Sequence, residues 1–277
     1  MLLKLRQQIG NPKLSQLHFR QAVSLDVLPW VKMNQEILIK SKKRVQKHGE
    51  VFTPSWMVEK MLEIDGIKKC CENLTATFLE PSAGEGAFLI AILRRKLGMV
   101  AEQHCTDINQ FENFSLYALS TLYGIELLDD NIQMCVMNLY QEYYEYYLKI
   151  TQKFKVKLKQ KVLDSAKCII KSNIKQGNFL TQLTANKYLI VFSEWKIVNQ
   201  LTSKTKNIIV SRTEYTLQDI YHKKENSLGT LINKRSQLIN AQQSLFDEEA
   251  HDIDDEKFAY VSTKITEIYK EEMEKYA

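Results

Sequence analysis

An α/β fold with a mainly parallel sheet is predicted by three features of the sequence. Short apolar runs, ATFLE at 76–80, LYGIE at 122–126 and NIKQGNFL at 173–180, alternate with helical stretches. The first run passes through a tight turn, Pro81 to Gly86, directly into the apolar helical stretch AFLIAILRRKL. Composition agrees. With 9 glycines and 4 prolines in 277 residues, the chain is neither collagenous, nor a Pro/Gly linker, nor a turn-rich β-sandwich. Hydrophobic residues at 44% and charged residues at 26% are not a disordered composition.

The elements follow in order. Residues 14–47 read as basic helices interrupted at Pro29. Thr53 is placed to cap a helix with Pro54 at its first position, and Trp56, Val58, Met61 and Leu62 give it an apolar face. After the glycine turn, Gly98 is expected to close the helix. Residues 99–121 read as a polar insertion with a helix near 115–122. A helix from about Asp129 to Lys149 carries Tyr140, Tyr143, Tyr144, Tyr146 and Tyr147, a pattern of core packing rather than a base-stacking platform. Another helix near 160–172 leads to the third strand. KYLIVFSEWKIV at 187–198 and IIVSRTEY after it read as a hairpin, and helix with polar linker fills the remainder from 217. The expected divisions are a basic helical segment 1–48, a central domain 49–216 and an acidic tail 217–277.

Charge supports those divisions. Residues 1–60 carry 11 basic and 4 acidic side chains, and residues 247–277 carry 4 basic and 11 acidic. The Lys40–Lys47 run and KFKVKLKQK at 153–161 fit either a solvated face or phosphate contact. Five cysteines, odd in number and without C-x-x-C spacing, argue against a disulfide framework or a zinc ribbon. They suit free thiols in a reducing compartment, so a cytoplasmic protein without a bound metal is expected. No run reaches the roughly 18 apolar residues of a membrane span, and MLLKLRQQIG is too interrupted for a signal peptide.

A strand, glycine turn and helix form a ligand cradle at the carboxyl end of a parallel sheet. A dinucleotide fingerprint would need glycine where Leu89 stands and an acid about 20 residues on, and no Gly-Lys-Ser/Thr of a phosphate loop follows. The remaining pattern fits S-adenosylmethionine. Gly84 and Gly86 let the backbone approach, the helix start at Ala87 offers N–H groups, and Glu126 ends the next strand. A carboxylate taking both ribose hydroxyls there makes charge-assisted bonds of about 1.5–3 kcal/mol each.

Phe52-Thr53-Pro54, LEPSAGEGAFL at 79–89, YGIEL at 123–127 and GNFL at 177–180 are together similar to the ordered cofactor motifs of bacterial DNA adenine-N6 methyltransferases. The resemblance covers roughly residues 45–200 and implies a Rossmann-like, S-adenosylmethionine-dependent methyltransferase sheet, truncated, behind a helical N-terminal segment. It implies that Phe52 and Thr53 meet the methionine end and that Glu80, Ser82, Ala83, Gly84, Glu85, Gly86 and Phe88 wrap the cofactor. Glu126 and Leu127 would meet the ribose, and Asn178 and Phe179 the adenine. Asn178 stands where the family often has aspartate.

The family's catalytic Asn/Asp-Pro-Pro-aromatic signature is missing, for the prolines are Pro12, Pro29, Pro54 and Pro81. That signature withdraws hydrogens from an exocyclic amine and stacks on a flipped base. Phe192-Ser193-Glu194-Trp195 occupies the corresponding strand end. Trp195 as the stacking ring and Glu194 as the amine acceptor are the candidates, against a plain strand end with a core tryptophan. The stretch after Trp195 is short for the family's target-recognition domain, so a partner subunit is expected to supply recognition. The expected function is DNA adenine-N6 methylation in a restriction-modification or mobile-element system. The alternative is an inactive module that binds the cofactor and DNA or protein. Gln242, Leu245 and Phe246 lie in a short peptide similar to those that dock on the bacterial replication sliding clamp.

Overall fold

The computed structural model describes residues 38–202, 205–232 and 257–276. The expected helices at 14–37, the Gln242–Phe246 peptide and most of the acidic run lie outside the described residues. The chain falls into two compact units, one ending at Met57 and one beginning at Val58. The first boundary therefore lies beyond the expected residue 48.

In the N-terminal unit, helix α1 (Lys42–His48) is capped by Ser41, whose hydroxyl accepts from Arg44 N–H at 3.2 Å. Gly49 closes it in the left-handed region at φ 67°. Arg44 pairs with Glu50, and the Lys40 ammonium lies 5.7 Å over the Phe52 ring. Phe52 N–H donates to the Leu38 carbonyl at 2.8 Å. Thr53 and Pro54 follow, and helix α2 (Ser55–Leu62) starts one residue after the proline.

The second unit is mixed α/β. Helix α3 (Asp65–Cys71) precedes β1 (Phe78–Glu80), α4 (Ala87–Gln103), α5 (Ile108–Ser120), β2 (Leu122–Glu126), α6 (Asp129–Lys153), α7 (Gln160–Asn173) and β3 (Ile174–Gln176). The three strands form a parallel sheet in the order β1-β2-β3. Register places Glu80 opposite Gly124 and Glu126 opposite Gln176. Gly98 does not end its helix. It lies inside α4, with the Tyr146 hydroxyl 3.9 Å from where a Cβ would stand, and the helix runs five residues further.

Helix length decides the architecture. At about 1.5 Å per residue, α4 and α6 run about 26 and 38 Å, whereas β1 and β2 at about 3.3 Å per residue run only about 10 and 17 Å. Both helices start at the carboxyl ends of the strands and overhang their amino ends. Helices α5 and α7 fill that overhang, each ending just before the strand that follows it. The result is a helical base below the sheet. Tyr143 and Tyr147 are buried there, as core packing predicts.

The strands expose two faces by their alternation. Leu122 belongs to the helical core, and the Leu89 and Ile174 side chains crowd the same face at Gly124. Tyr123 and Ile125 point the other way, against Ile190, Phe192 and Leu217. The latter residues come from β4 (Val191–Ile197), its approach, and the helix α8 (Leu217–His222) that follows β5 (Ile209–Thr216). β4 and β5 pair antiparallel, as the expected hairpin.

The C-terminal stretch differs from the expected helix and linker. β6 (Lys257–Tyr260) pairs with β8 (Met273–Tyr276), β7 (Thr263–Lys264) pairs with β5, and a 3-10 helix spans Ile265–Lys270. Ile265 and Ile268, three apart and so on one side of a 3-10 turn, enter the main core. Arg212 holds this stretch down. Its guanidinium lies between the Trp195 and Tyr260 rings and bonds Glu271 at 2.6 Å. Residues 257–276 are thus part of the α/β unit, not a separate tail.

Candidate cofactor site

Backbone hydrogen bonds weld the glycine turn to the neighbouring strand. Ala83 N–H donates to the Ile125 carbonyl at 2.8 Å, and Gly84 N–H donates to Glu126 Oε2 at 2.8 Å. Gly86 N–H closes the turn on the Ala83 carbonyl at 2.8 Å. Gly84 and Gly86 adopt φ of 54° and 94°, the left-handed region in which a Cβ is costly. A Cβ on Gly86 would also stand 2.9 Å from Cys135 Sγ. Two side chains of α6 therefore support the turn from behind: Cys135 by its size, and Asn138, whose amide donates to the Glu85 carbonyl at 3.0 Å. Burial pushes the Cys135 thiol up to about 12, so it acts as packing rather than as a nucleophile.

Two carboxylates flank the turn. Glu126 is only 5% exposed, and its other oxygen accepts from Leu128 N–H at 2.9 Å. A carboxylate offers about four lone-pair directions, so these two bonds leave capacity for a ligand. Glu80 accepts from Ser82 N–H at 3.2 Å. Burial, reinforced by the charge of Glu126, holds its carboxyl above the usual range. Helix α4 begins at the turn with no side-chain cap, so its first N–H groups and the positive end of its dipole face the same place.

The third strand adds a second turn. Gly177 N–H donates to the Glu126 carbonyl at 2.9 Å. The Asn178 side-chain carbonyl accepts from Leu180 and Thr181 N–H at 2.8 and 3.2 Å, which fixes the turn. Phe179 packs under it against the Ile125 cluster, and Leu180 projects 88% exposed. Leu127, also exposed, leaves the end of β2, its carbonyl held by Gln176 at 2.8 Å.

The carboxyl ends of three strands thus gather Glu80, Ser82 to Gly86, Glu126, Leu127, Asn178 and Phe179. Phe88 packs inward against the helical core. Phe52 and Thr53 belong to the N-terminal unit. Cys135, Asn138 and Leu180 went unassigned from sequence. Cys135 and Asn138 are three apart on one helical face, which signals a shared neighbour without naming it.

The two catalytic candidates stand elsewhere, and this corrects their assignment. β4 is not a further parallel strand. Ile190 packs at Gly177, at the carboxyl end of β3, and three residues later the Ser193 carbonyl accepts from the Tyr123 hydroxyl at 3.1 Å near the start of β2. β4 therefore runs toward the amino ends, carrying Trp195 into the helical base, where it is 4% exposed. A ring buried in the main core with the Arg212 guanidinium over it has no free face for a base. Glu194 is exposed on the same strand, near Tyr117, Tyr123 and Tyr215 rather than the glycine turn.

All five cysteines are free thiols. Among the described residues no group of three or more His, Cys, Asp or Glu could hold a metal ion, and no helix is long and apolar enough to cross a membrane. Compared with protein-family models, curated proteins and solved structures, the chain matches none.

Proposed function

We propose that the second unit binds S-adenosylmethionine at the glycine turn, in a Rossmann-like methyltransferase arrangement of the DNA adenine-N6 class. The observation that carries this reading is the Gly84–Glu126 bond of 2.8 Å beside an uncapped helix start. It fixes, side by side, backbone donors suited to a carboxylate and an acidic acceptor suited to a ribose diol. Glu80 and Glu126 together also favour a cationic ligand and oppose a pyrophosphate lying on the turn.

Bound there, the cofactor supplies a methyl group activated on a sulfonium. The chain's own residues do the positioning. Gly84 and Gly86 keep the turn free of side chains, Glu126 orients the sugar, and the Asn178 turn with Phe179 and Leu127 borders the adenine. The target base is assigned to DNA, with recognition supplied by a partner subunit, because neither Trp195 nor Glu194 reaches this end. That geometry also favours a second reading, a module that holds cofactor and DNA or protein without turnover. A restriction-modification or mobile-element setting and a cytoplasmic location complete the proposal.

Calorimetry tests it. One site per chain is expected with micromolar affinity, about −8 kcal/mol. Gly84→Val and Glu126→Ala should abolish the heat while the protein stays folded by circular dichroism. Wild-type protein that gives no heat with S-adenosylmethionine overturns the reading. Tritiated-methyl transfer to DNA, with and without candidate partner subunits, separates enzyme from module.

A further inference from the structure

The helical base carries a charged surface that the cofactor reading does not use. From Tyr146 to Leu163 the chain has six lysines and no acid. The structure sorts them. Lys159 is spent on buried Glu112 at 2.8 Å, and Lys161 faces Glu267 at 3.5 Å. Lys149, Lys153, Lys155 and Lys157 are all exposed, and among the described residues no salt bridge neutralises them.

Their outward position is built in. Helix α6 ends at Lys153, and Lys155 turns the chain in the left-handed region at φ 55°. Phe154 and Leu158 pack into the main core, so the alternating Lys155 and Lys157 face solvent. The Lys159 ammonium also bonds Asn109 at 2.7 Å, which anchors the stretch to α5 and keeps the lysines on a rigid support. The acids at this end are Glu102 in the last turn of α4 and Asp107, which caps α5, and Glu145 lies one turn back along α6.

We infer that Lys149, Lys153, Lys155 and Lys157 form a docking surface for the phosphate backbone of a double-stranded nucleic acid. The partner is a polyphosphate because unpaired, exposed ammonium groups on a fixed support gain by releasing its condensed counterions. It is a duplex rather than a single strand because, among the described residues, the surface offers no exposed aromatic face on which bases could stack. Phe154 is half-buried, and Val156 is aliphatic. Lys149 and Lys153 lie about 17–27 Å along α6 from Cys135 and Asn138, which back the glycine turn, so the surface anchors the duplex at a distance and does not read or modify a base. This inference is independent of what the turn binds.

The test is the salt dependence of binding of the full chain to a mixed-sequence DNA duplex. It compares wild type with Lys149→Gln/Lys153→Gln/Lys155→Gln/Lys157→Gln. A second quadruple variant, Lys60→Gln/Lys69→Gln/Lys196→Gln/Lys264→Gln, removes the same charge elsewhere. The base variant should lose about 3 to 4 in the slope of log K against log salt and about tenfold or more in affinity at low salt. The control should keep most of both, and all three proteins should melt alike. An RNA duplex arm shows whether the same backbone chemistry serves both helices. Equal slopes for wild type and base variant overturn the inference. So does an equal loss in the two variants, or binding of polyglutamate in preference to duplex.

Discussion

At the amino ends of the parallel strands, Glu112 and Asn113 are tied into buried hydrogen-bond networks; at the carboxyl ends Glu126 holds backbone and keeps bonding capacity in reserve. In the base, Glu112 accepts from Tyr147 at 2.6 Å and from Lys159 at 2.8 Å. Asn113 accepts from Ile208 N–H at 2.8 Å and donates to the Asn109 and Lys206 carbonyls. At the other end Glu126 takes two N–H groups and the α4 start has no side-chain cap. A closed network fixes a scaffold, whereas an open one beside mobile solvent is a site. The contrast separates Glu112 and Asn113 from Glu126, while Trp195 is held in the base by packing and by Arg212 over its ring, its buried Nε1 having no hydrogen-bond partner among the described residues.

The largest effect should come from the base. Trp195→Ala removes a buried ring from between the helices and Arg212, and is expected to cost about 3–5 kcal/mol. Urea unfolding measures it. Affinity of the folded fraction for S-adenosylmethionine should stay unchanged, and a selective loss of affinity would blur the division between the ends. Asn113→Ala should follow, at about 1–3 kcal/mol, because the Ile208 N–H and Lys206 carbonyl lose their buried partner. The same unfolding curves report it.

Gly86→Ala sharpens the other end. The left-handed φ alone costs about 1–3 kcal/mol in a residue with a side chain. Overlap with Cys135 Sγ adds to it. Cys135→Ala in the same chain should recover the overlap but not the backbone strain. Full recovery would place the whole cost in packing.

Lys96 gives the smallest effect and a pH signature. It is wholly buried on α4, its ammonium donating to the carbonyls of Asn73 and Ala76 at 2.8 Å and of Leu74 at 3.2 Å. It thereby ties down the chain entering β1. Burial lowers its pKa to about 8. The unfolded lysine titrates near its ordinary value of about 10.4, so the unfolded state binds more protons between these two points. The contribution of Lys96 to stability should rise with pH across that window and be flat below it. The stability difference between wild type and Lys96→Met across pH 7–10.5 isolates this slope, since tyrosines and cysteines titrate in both proteins. A difference independent of pH would mean that the three carbonyls hold the ammonium charged to the same pH as in the unfolded chain, with no lowering by burial.

Much of the glycine turn and its surroundings was legible because their constraints are local. Gly84 and Gly86 are needed where they stand for backbone reasons, and Glu126 follows from the end of an apolar five-residue strand. The direction of β4 was not legible. An apolar run pairs equally well parallel or antiparallel, and only the contacts of Ile190 and Tyr123 decide that it descends. The C-terminal strands were missed because their pairing is long-range, with Ile265 bonding back to Ile208 at 2.9 Å. Lys96 was invisible because a lysine between apolar neighbours reads as a helix surface until the carbonyls that receive it are in place. The long helices were underestimated for a simpler reason, since Gly98 reads as a stop although it has room inside α4.

Amide hydrogen exchange with and without S-adenosylmethionine compares the two ends in one experiment. Exchange should slow at residues 83–90 and at Leu128, where the turn and its carboxylate partner lie, while residues 109–115 in the base keep their rates. Unchanged exchange at the turn under saturating cofactor, or protection confined to the base, would contradict the account.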